Sequence, residues 1–180
     1  MKRQLDAVPG VPNMALNEGV VSGRVLKAHK KASARLTDLG IPHVVVGGLA
    51  VGAWGHPRAT KDVDFLVRER DAFSGTLVMS FKPGVPIEID GVSIDYLTVE
   101  SLKLRGKGKK LPSGEVVPIE VLFAMKLKAK RMQDDADVVA LVKRGADLPS
   151  ISAWLHAHGS REEELRLVRL VAAARGEGER

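Results

Sequence analysis

The chain reads as an α+β protein with α/β-like features: one helix, then a small mixed β-sheet, then a helical C-terminal half. Three observations predict this. Short β-branched runs, "HVVV", "DVDFLV" and "VSIDYLTV", crowd residues 43–99, and such runs suit buried strands. From Ile119 onward, apolar residues recur at helical spacing in four segments, each bounded by Gly, Pro or a capping residue. No segment repeats another, so a solenoid or array is excluded.

Residues 1–13, with Pro9, Gly10 and Pro12, read as a lead-in. "MALNEGVVSGRVLKAHKKASARLTDLG" then predicts a single helix ended by Gly40, with Leu26, Leu36 and Leu39 on its buried side. After Pro42, "HVVV" predicts a strand stopped by Gly47 and Gly48, and "LAVGAW" a short helix ending at Gly55. "DVDFLV" predicts a second strand. "VPIEIDGVSIDYLTV" predicts two more, paired as a hairpin at Asp90 and Gly91, because Asp-Gly suits turns with positive φ. Residues 101–118 read as a loop with five positive charges between Lys103 and Lys110. "IEVLFAMKLKAKRM", "DDADVVALVKRG", "LPSISAWLHAHG" and "SREEELRLVRLVAAAR" predict four helices. Asp134 or Asp135 would cap the second, and Ser160 with Glu163 would form a capping box on the last. Residues 1–118 thus form the expected core, and 119–180 a helical part packed on it.

At 180 residues the chain suits one domain with a proper core. Hydrophobic residues at 44% and charged residues at 28% exclude a disordered chain. No apolar run approaches the roughly 18 residues of a membrane span, and "MKRQLDAVPGVPN" lacks the apolar stretch of a secretory signal, so the protein reads as cytoplasmic with no membrane partner. With no cysteine, any metal must be held by oxygen or histidine. The formal charge of +6 favours a polyanionic partner, and 4% aromatic content makes phosphate contact a better expectation than base stacking.

Asp62 and Asp64 lie two residues apart in a strand, so their side chains project from one face. Two like charges side by side call for a cation, and an oxygen-preferring divalent metal meets that need; the alternative is the polar face of an edge strand. Asp95 adds a third acid inside an apolar strand whose Val92, Ile94 and Tyr96 take the other face. Were that strand beside "DVDFLV", three carboxylates would converge, the arrangement two Mg²⁺ ions need in phosphoryl displacement; the alternative is a hairpin aspartate facing water. Gly47 and Gly48, between a strand and a helix, would let backbone N–H groups approach an anion, although an ordinary turn uses the same pair.

The strand, Gly-Gly, a gap of about a dozen residues and Arg-x-Thr-x-Asp-x-Asp together resemble the signature of the nucleotidyltransferase superfamily with the polymerase-β palm fold. "GGLAVGAWGHPRATKDVDF" is especially similar to the branch containing AbiEii-type and MenT-type toxins of toxin–antitoxin systems. The likeness continues through Asp95 and "AMKLKAKRMQDDADVVAL", with Ala124, Lys126, Leu127, Ala129, Arg131, Asp134 and Asp137, and covers residues 43–141. It implies a minimal nucleotidyltransferase fold and transfer of a nucleoside monophosphate from a nucleoside triphosphate (NTP) to an acceptor hydroxyl. Under it Gly47 and Gly48 hold the triphosphate, with Arg58 and Thr60 near the phosphates. Asp62, Asp64 and Asp95 bind Mg²⁺, two ions being expected, and Asp95 completes that site or helps activate the acceptor. Lys126 would be a catalytic and nucleotide-binding lysine and Asp134 a further nucleotide contact. Read without the resemblance, Lys126 is a solvated lysine on an amphipathic helix, Asp134 a helix cap or an i,i+4 partner of Lys130, and Asp137 an exposed acid.

His56, before Arg58, is a residue that could reach a substrate or simply be solvated. Trp54 and Trp154 read as core. The 103–110 run reads as a solvated loop, or as a phosphate contact if the acceptor is RNA. The stretch between Asp64 and Asp95 is shorter than in many relatives, and the large C-terminal domain of longer AbiEii-type proteins is missing. The expected acceptor is therefore tRNA, a protein hydroxyl or a small molecule such as an antibiotic, and a cognate antitoxin is an expected partner. Two rivals stand beside this reading: a non-catalytic domain of the same fold that binds nucleic acid or protein, and a nucleotide-binding sensor.

Overall fold

The computed structural model describes residues 10–75 and 80–176; most of the expected lead-in lies outside them. The first helix is shorter than its apolar spacing predicts. A 3₁₀ turn at Met14–Asn17 is capped by the Asn13 side chain, and α1 spans only Gly23–Asp38. The break has a local cause: Gly19 takes φ +80°, and the Ser22 hydroxyl accepts the Val25 N–H to start the helix afresh. Leu36 is buried and Leu26 and Leu39 pack against the core, as their spacing predicts.

Strand β1 (His43–Val46) runs directly into α2 (Gly47–Ala53), so the two glycines open the helix instead of preceding it. β2 (Val63–Val67) follows, then a four-residue α3 (Glu69–Ala72), a two-stranded ribbon of β3 (Phe73–Ser74) and β4 (Ser80–Phe81), β5 (Glu88–Ile89) and β6 (Val92–Thr98). Asp90 and Gly91 both take positive φ, 52° and 74°, in the predicted β5–β6 hairpin.

The main sheet has the order β1-β2-β6-β5 and is mixed, with β2 antiparallel to β1 and parallel to β6. β2 is therefore an inner strand, which overturns the edge-strand reading of Asp62 and Asp64. On one face Phe65 of β2 meets His29 of α1 at a ring separation of 5.9 Å, so α1 covers that side. Residues 101–118 are less loose than predicted: they form two 3₁₀ turns, at Glu100–Leu102 and Gly106–Lys109. Val117 N–H then donates to the Val45 carbonyl, lengthening the β1 edge.

The C-terminal half is α4 (Ile119–Ala129), α5 (Met132–Lys143), α6 (Leu148–His158) and α7 (Arg161–Gly176). Ser160 and Glu163 form the predicted capping box, with Ser160 N–H donating to Glu163 Oε2 at 2.8 Å. One hydrophobic cluster runs from Val21 through the sheet to Leu167, joining these helices to the sheet. Among the described residues no helix is long and apolar enough to cross a membrane.

Candidate active site

On the sheet face opposite α1 lies a cleft of about 330 Å³, bounded by the β1–α2 corner, the 58–64 segment, β6, α4 and the start of α5. Gly47, Gly48, Arg58, Thr60, Asp62, Asp64, Asp95, Lys126 and Asp134 all line it. Residues separated by up to 87 positions in the chain thus face one space.

Parallel pairing puts Asp64 directly beside Asp95 in register, so both project from the same sheet face. Asp62, just ahead of β2, is exposed at the same cleft. Burial, then the charges of Asp95 and Asp62, push the Asp64 carboxyl up to about 6. Ser93 Oγ donates to Asp95 Oδ1 at 2.9 Å. Among the described residues no three carboxylate or histidine side chains are drawn together as a ready-made metal cage. The three acids nevertheless line one cleft, with Asp64 and Asp95 side by side on adjacent strands and the charges of Asp95 and Asp62 acting on Asp64. Their donor chemistry fits a hard cation, since all are oxygen ligands and the charges of Asp95 and Asp62 raise the Asp64 carboxyl although Lys126 and Arg131 act to lower it.

Both glycines are required by close approach. Gly47 takes φ +65°, and a Cβ there would lie 2.0 Å from Asp64 Oδ2; one on Gly48 would lie 2.9 Å from the Thr60 side chain. The Gly-Gly step therefore lets the 58–64 segment close over the start of α2. Thr60 Oγ1 donates weakly to the Asp62 carbonyl at 3.4 Å, and so braces the approach to β2.

The opposite wall is cationic and closely bonded. Arg58 Nε and Nη2 donate to the two oxygens of Asp137 at 2.7 and 2.8 Å, a bidentate pair. Lys126 Nζ donates to Asp134 Oδ1 at 2.9 Å and sits 2.8 Å from Asp137 Oδ2. Arg131 Nε donates to Asp134 Oδ2 at 2.7 Å, and Gln133 Nε2 to Asp137 Oδ1 at 3.0 Å. Asp134 and Asp137 are buried, at 1% and 0% exposure. Burial pushes both carboxyls up, but hydrogen bonds outweigh it: from Arg131 and Lys126 at Asp134, and from Arg58 and Lys126 at Asp137. Both are held below the usual carboxylate range. Three cations over two carboxylates leave the wall positive.

Lys126 is therefore no solvated lysine, being 6% exposed. Asp134 lines the cleft, yet its oxygens are taken by Lys126, Arg131 and, at 3.3 Å, the Arg131 backbone N–H that starts α5. It acts on the cleft by holding cations. Asp137 is buried behind the wall instead of exposed. Lys130 ends α4 in the left-handed region and pairs with Glu162 of α7, not with Asp134.

His56 does not line the cleft. Trp54 is partly buried, and its Nε1 donates to the Val117 carbonyl at 2.9 Å; Trp154 packs on the core edge against His158. In the basic run, Arg105 is tied to the carbonyls of His156 and Gly159, Lys103, Lys107, Lys109 and Lys110 are exposed, and none of the five lines the cleft. Gln133 was missed by sequence reasoning, although its i,i+4 spacing from Asp137 was a legible signal. Asn17 was missed too: it donates to the Leu49 carbonyl, and a Cβ at Gly52 would come within 1.9 Å of its Oδ1. No family model matches the chain, and no curated protein matches it.

Proposed function

We propose that the chain is a nucleotidyltransferase, moving a nucleoside monophosphate from an NTP to an acceptor hydroxyl. The observation that carries this reading is the pair of oppositely charged walls facing one cleft, joined by the Gly47–Gly48 corner. Such a cleft suits a substrate that is polyanionic along one side and needs cation-assisted displacement at the other.

Lys126, Arg58 and Arg131 bind the triphosphate, with Lys126 supplying a point charge and the arginines planar donors. Gly47 and Gly48 let the backbone approach the phosphates. Asp62, Asp64 and Asp95 would hold Mg²⁺, which when bound offsets phosphate charge and makes the acceptor hydroxyl more acidic. The acceptor oxygen attacks the α-phosphorus in line, the bond to the bridging oxygen breaks, and pyrophosphate leaves. Asp95, exposed on β6, takes up the hydroxyl proton. The cationic wall stabilises the charge that builds on the departing pyrophosphate. Asp134 and Asp137 touch none of these atoms and position the three cations.

The acceptor class is tested by incubating the protein with α-labelled NTPs, Mg²⁺ and total tRNA, cell protein or an antibiotic panel, beside an Asp62→Ala, Asp64→Ala variant. Mg²⁺-dependent label on one acceptor class, lost in the variant, is the expected outcome. Absence of both transfer and nucleotide binding under all of these conditions would overturn the reading.

A further inference from the structure

Ser93 stands two residues ahead of Asp95 on β6, so its side chain projects from the same, cleft-side face of the sheet. It is exposed, and its Oγ donates to Asp95 Oδ1 at 2.9 Å. Acids border it on both sides as well. Glu88 of β5 is its antiparallel partner, and one residue before the Val63–Ile94 pair stand Asp62 and Ser93. Thr60 is the one hydroxyl residue in the lining of the cleft among the described residues, and its Oγ1 is turned to the Asp62 carbonyl. Ser93 lies just outside that lining, with its hydroxyl directed at a carboxylate of the acid wall.

A hydroxyl that donates to a carboxylate at hydrogen-bond distance is a nucleophile beside its base. The two walls of the cleft meet the second requirement, that of direction. A triphosphate held by Arg58, Lys126 and Arg131 has its pyrophosphate end at the cationic wall, so attack in line on the α-phosphorus comes from the acid wall, where Ser93 stands.

We propose that Ser93 is a self-modification site, to which the chain transfers a nucleoside monophosphate from an NTP; this rests on the nucleotidyltransferase reading. The bond from Ser93 Oγ to the α-phosphorus forms, the bond from that phosphorus to the bridging oxygen breaks, and pyrophosphate leaves. The Oγ proton passes to Asp95 Oδ1, to which it is already donated. The product is a phosphodiester on Ser93 beside Asp95. Because donor and acceptor of the proton belong to one strand, the transfer takes place within one chain.

Intact-mass spectrometry after incubation with a mixture of NTPs and Mg²⁺, with no other acceptor present, tests the inference. The expected result is a mass gain of one nucleotidyl group, mapped by peptide fragmentation to Ser93, at a rate independent of chain concentration. Ser93→Ala should lose the adduct completely, while circular dichroism shows it folded and equilibrium dialysis with labelled NTP shows it binding nucleotide as the parent does. An adduct on another residue, an adduct that persists in Ser93→Ala, a rate that rises with chain concentration, or a parent chain that binds NTP and stays unmodified would each overturn the inference and leave the nucleotidyltransferase reading standing. A parent chain that binds no NTP would remove both.

Discussion

The two walls of the cleft use the same residue type to opposite ends. Asp64 on the sheet is pushed up to about 6 by burial and by its neighbours Asp95 and Asp62. Asp134 and Asp137 on α5 are more deeply buried, yet are held below the usual range by Lys126, Arg58 and Arg131. Burial alone does not decide what a buried carboxylate does; the charge of its partners does. One wall is complete within the protein, its two acids serving as scaffold for the three cations. The other is left in mutual repulsion, the condition expected of a group whose partner arrives with substrate.

The sharpest way to break this contrast is to remove the acid that holds most of the cationic wall. Asp137→Ala leaves Arg58 and Lys126 without their shared carboxylate, and loss of one partner from a buried ion pair costs about 3–5 kcal/mol. Urea unfolding should show a loss of that size. An unchanged midpoint would mean that the network is not the scaffold described above.

The mirror-image change on the acid wall should have the opposite sign. Asp64 has a raised folded-state value, so its favourable protonation is fully present below about 3.8 and is lost as pH rises through about 6. At pH 7 the charge therefore costs stability, up to about 3 kcal/mol from the size of the shift. Asp64→Asn should raise the melting temperature in metal-free buffer at pH 7, with the gain fading toward pH 4. Added Mg²⁺ should stabilise the parent chain by mass action and leave Asp64→Asn unmoved. A variant less stable than the parent at pH 7 would show that Asp64 is not under repulsion.

A third measurement separates the site from the core beneath it. His29, stacked on Phe65 and with Nε2 making no hydrogen bond among the described residues, is lowered to about 4 by burial, then by His43 and Lys30. Its sign is the reverse of that of Asp64: the neutral ring contributes stability above about 6.5, which is lost as pH falls toward about 4. Between pH 4 and 6 the two slopes oppose each other, so the parent chain should be comparatively flat there. Asp64→Asn should unmask a fall in stability on acidification, and His29→Leu a rise. Parallel slopes in the two variants would contradict the pairing.

How much of this was legible beforehand depends on how far apart the cooperating residues lie. Period-two alternation was enough to place Asp64 and Asp95 on one face of their strands, and Asp90-Gly91 to place the hairpin. The Ser160–Glu163 box was equally readable, because its partners are three residues apart. The break at Gly19 was not, since apolar spacing runs on through Val20, Val21 and Val25 and only the cap on Ser22 reveals it. The state of Lys126 was hidden for a different reason. Its own helix reads as amphipathic, and its burial depends on Asp134 and Asp137 arriving from the next helix after the turn at Lys130. The nucleotidyltransferase resemblance pointed to those positions, but only the folded chain shows their carboxylate oxygens taken by Lys126, Arg58 and Arg131.

The smallest effect on stability should come from Arg131, at the rim of the same wall. Its side chain is 76% exposed although it bonds Asp134, and exposed ion pairs contribute only about 0–1 kcal/mol. Asp134 would keep Lys126 and the Arg131-position backbone N–H, which needs no side chain. Arg131→Ala should therefore unfold within about 1 kcal/mol of the parent. Under the proposed function it should raise the KM for nucleotide and leave kcat nearly unchanged, because an exposed cation at the mouth attracts ground state and transition state alike. Lys126→Met, a buried change, should lower kcat as well. If Arg131→Ala instead lowers kcat at constant KM, Arg131 stabilises charge formed only in the transition state, and the boundary between scaffold and reacting wall must be redrawn to include it.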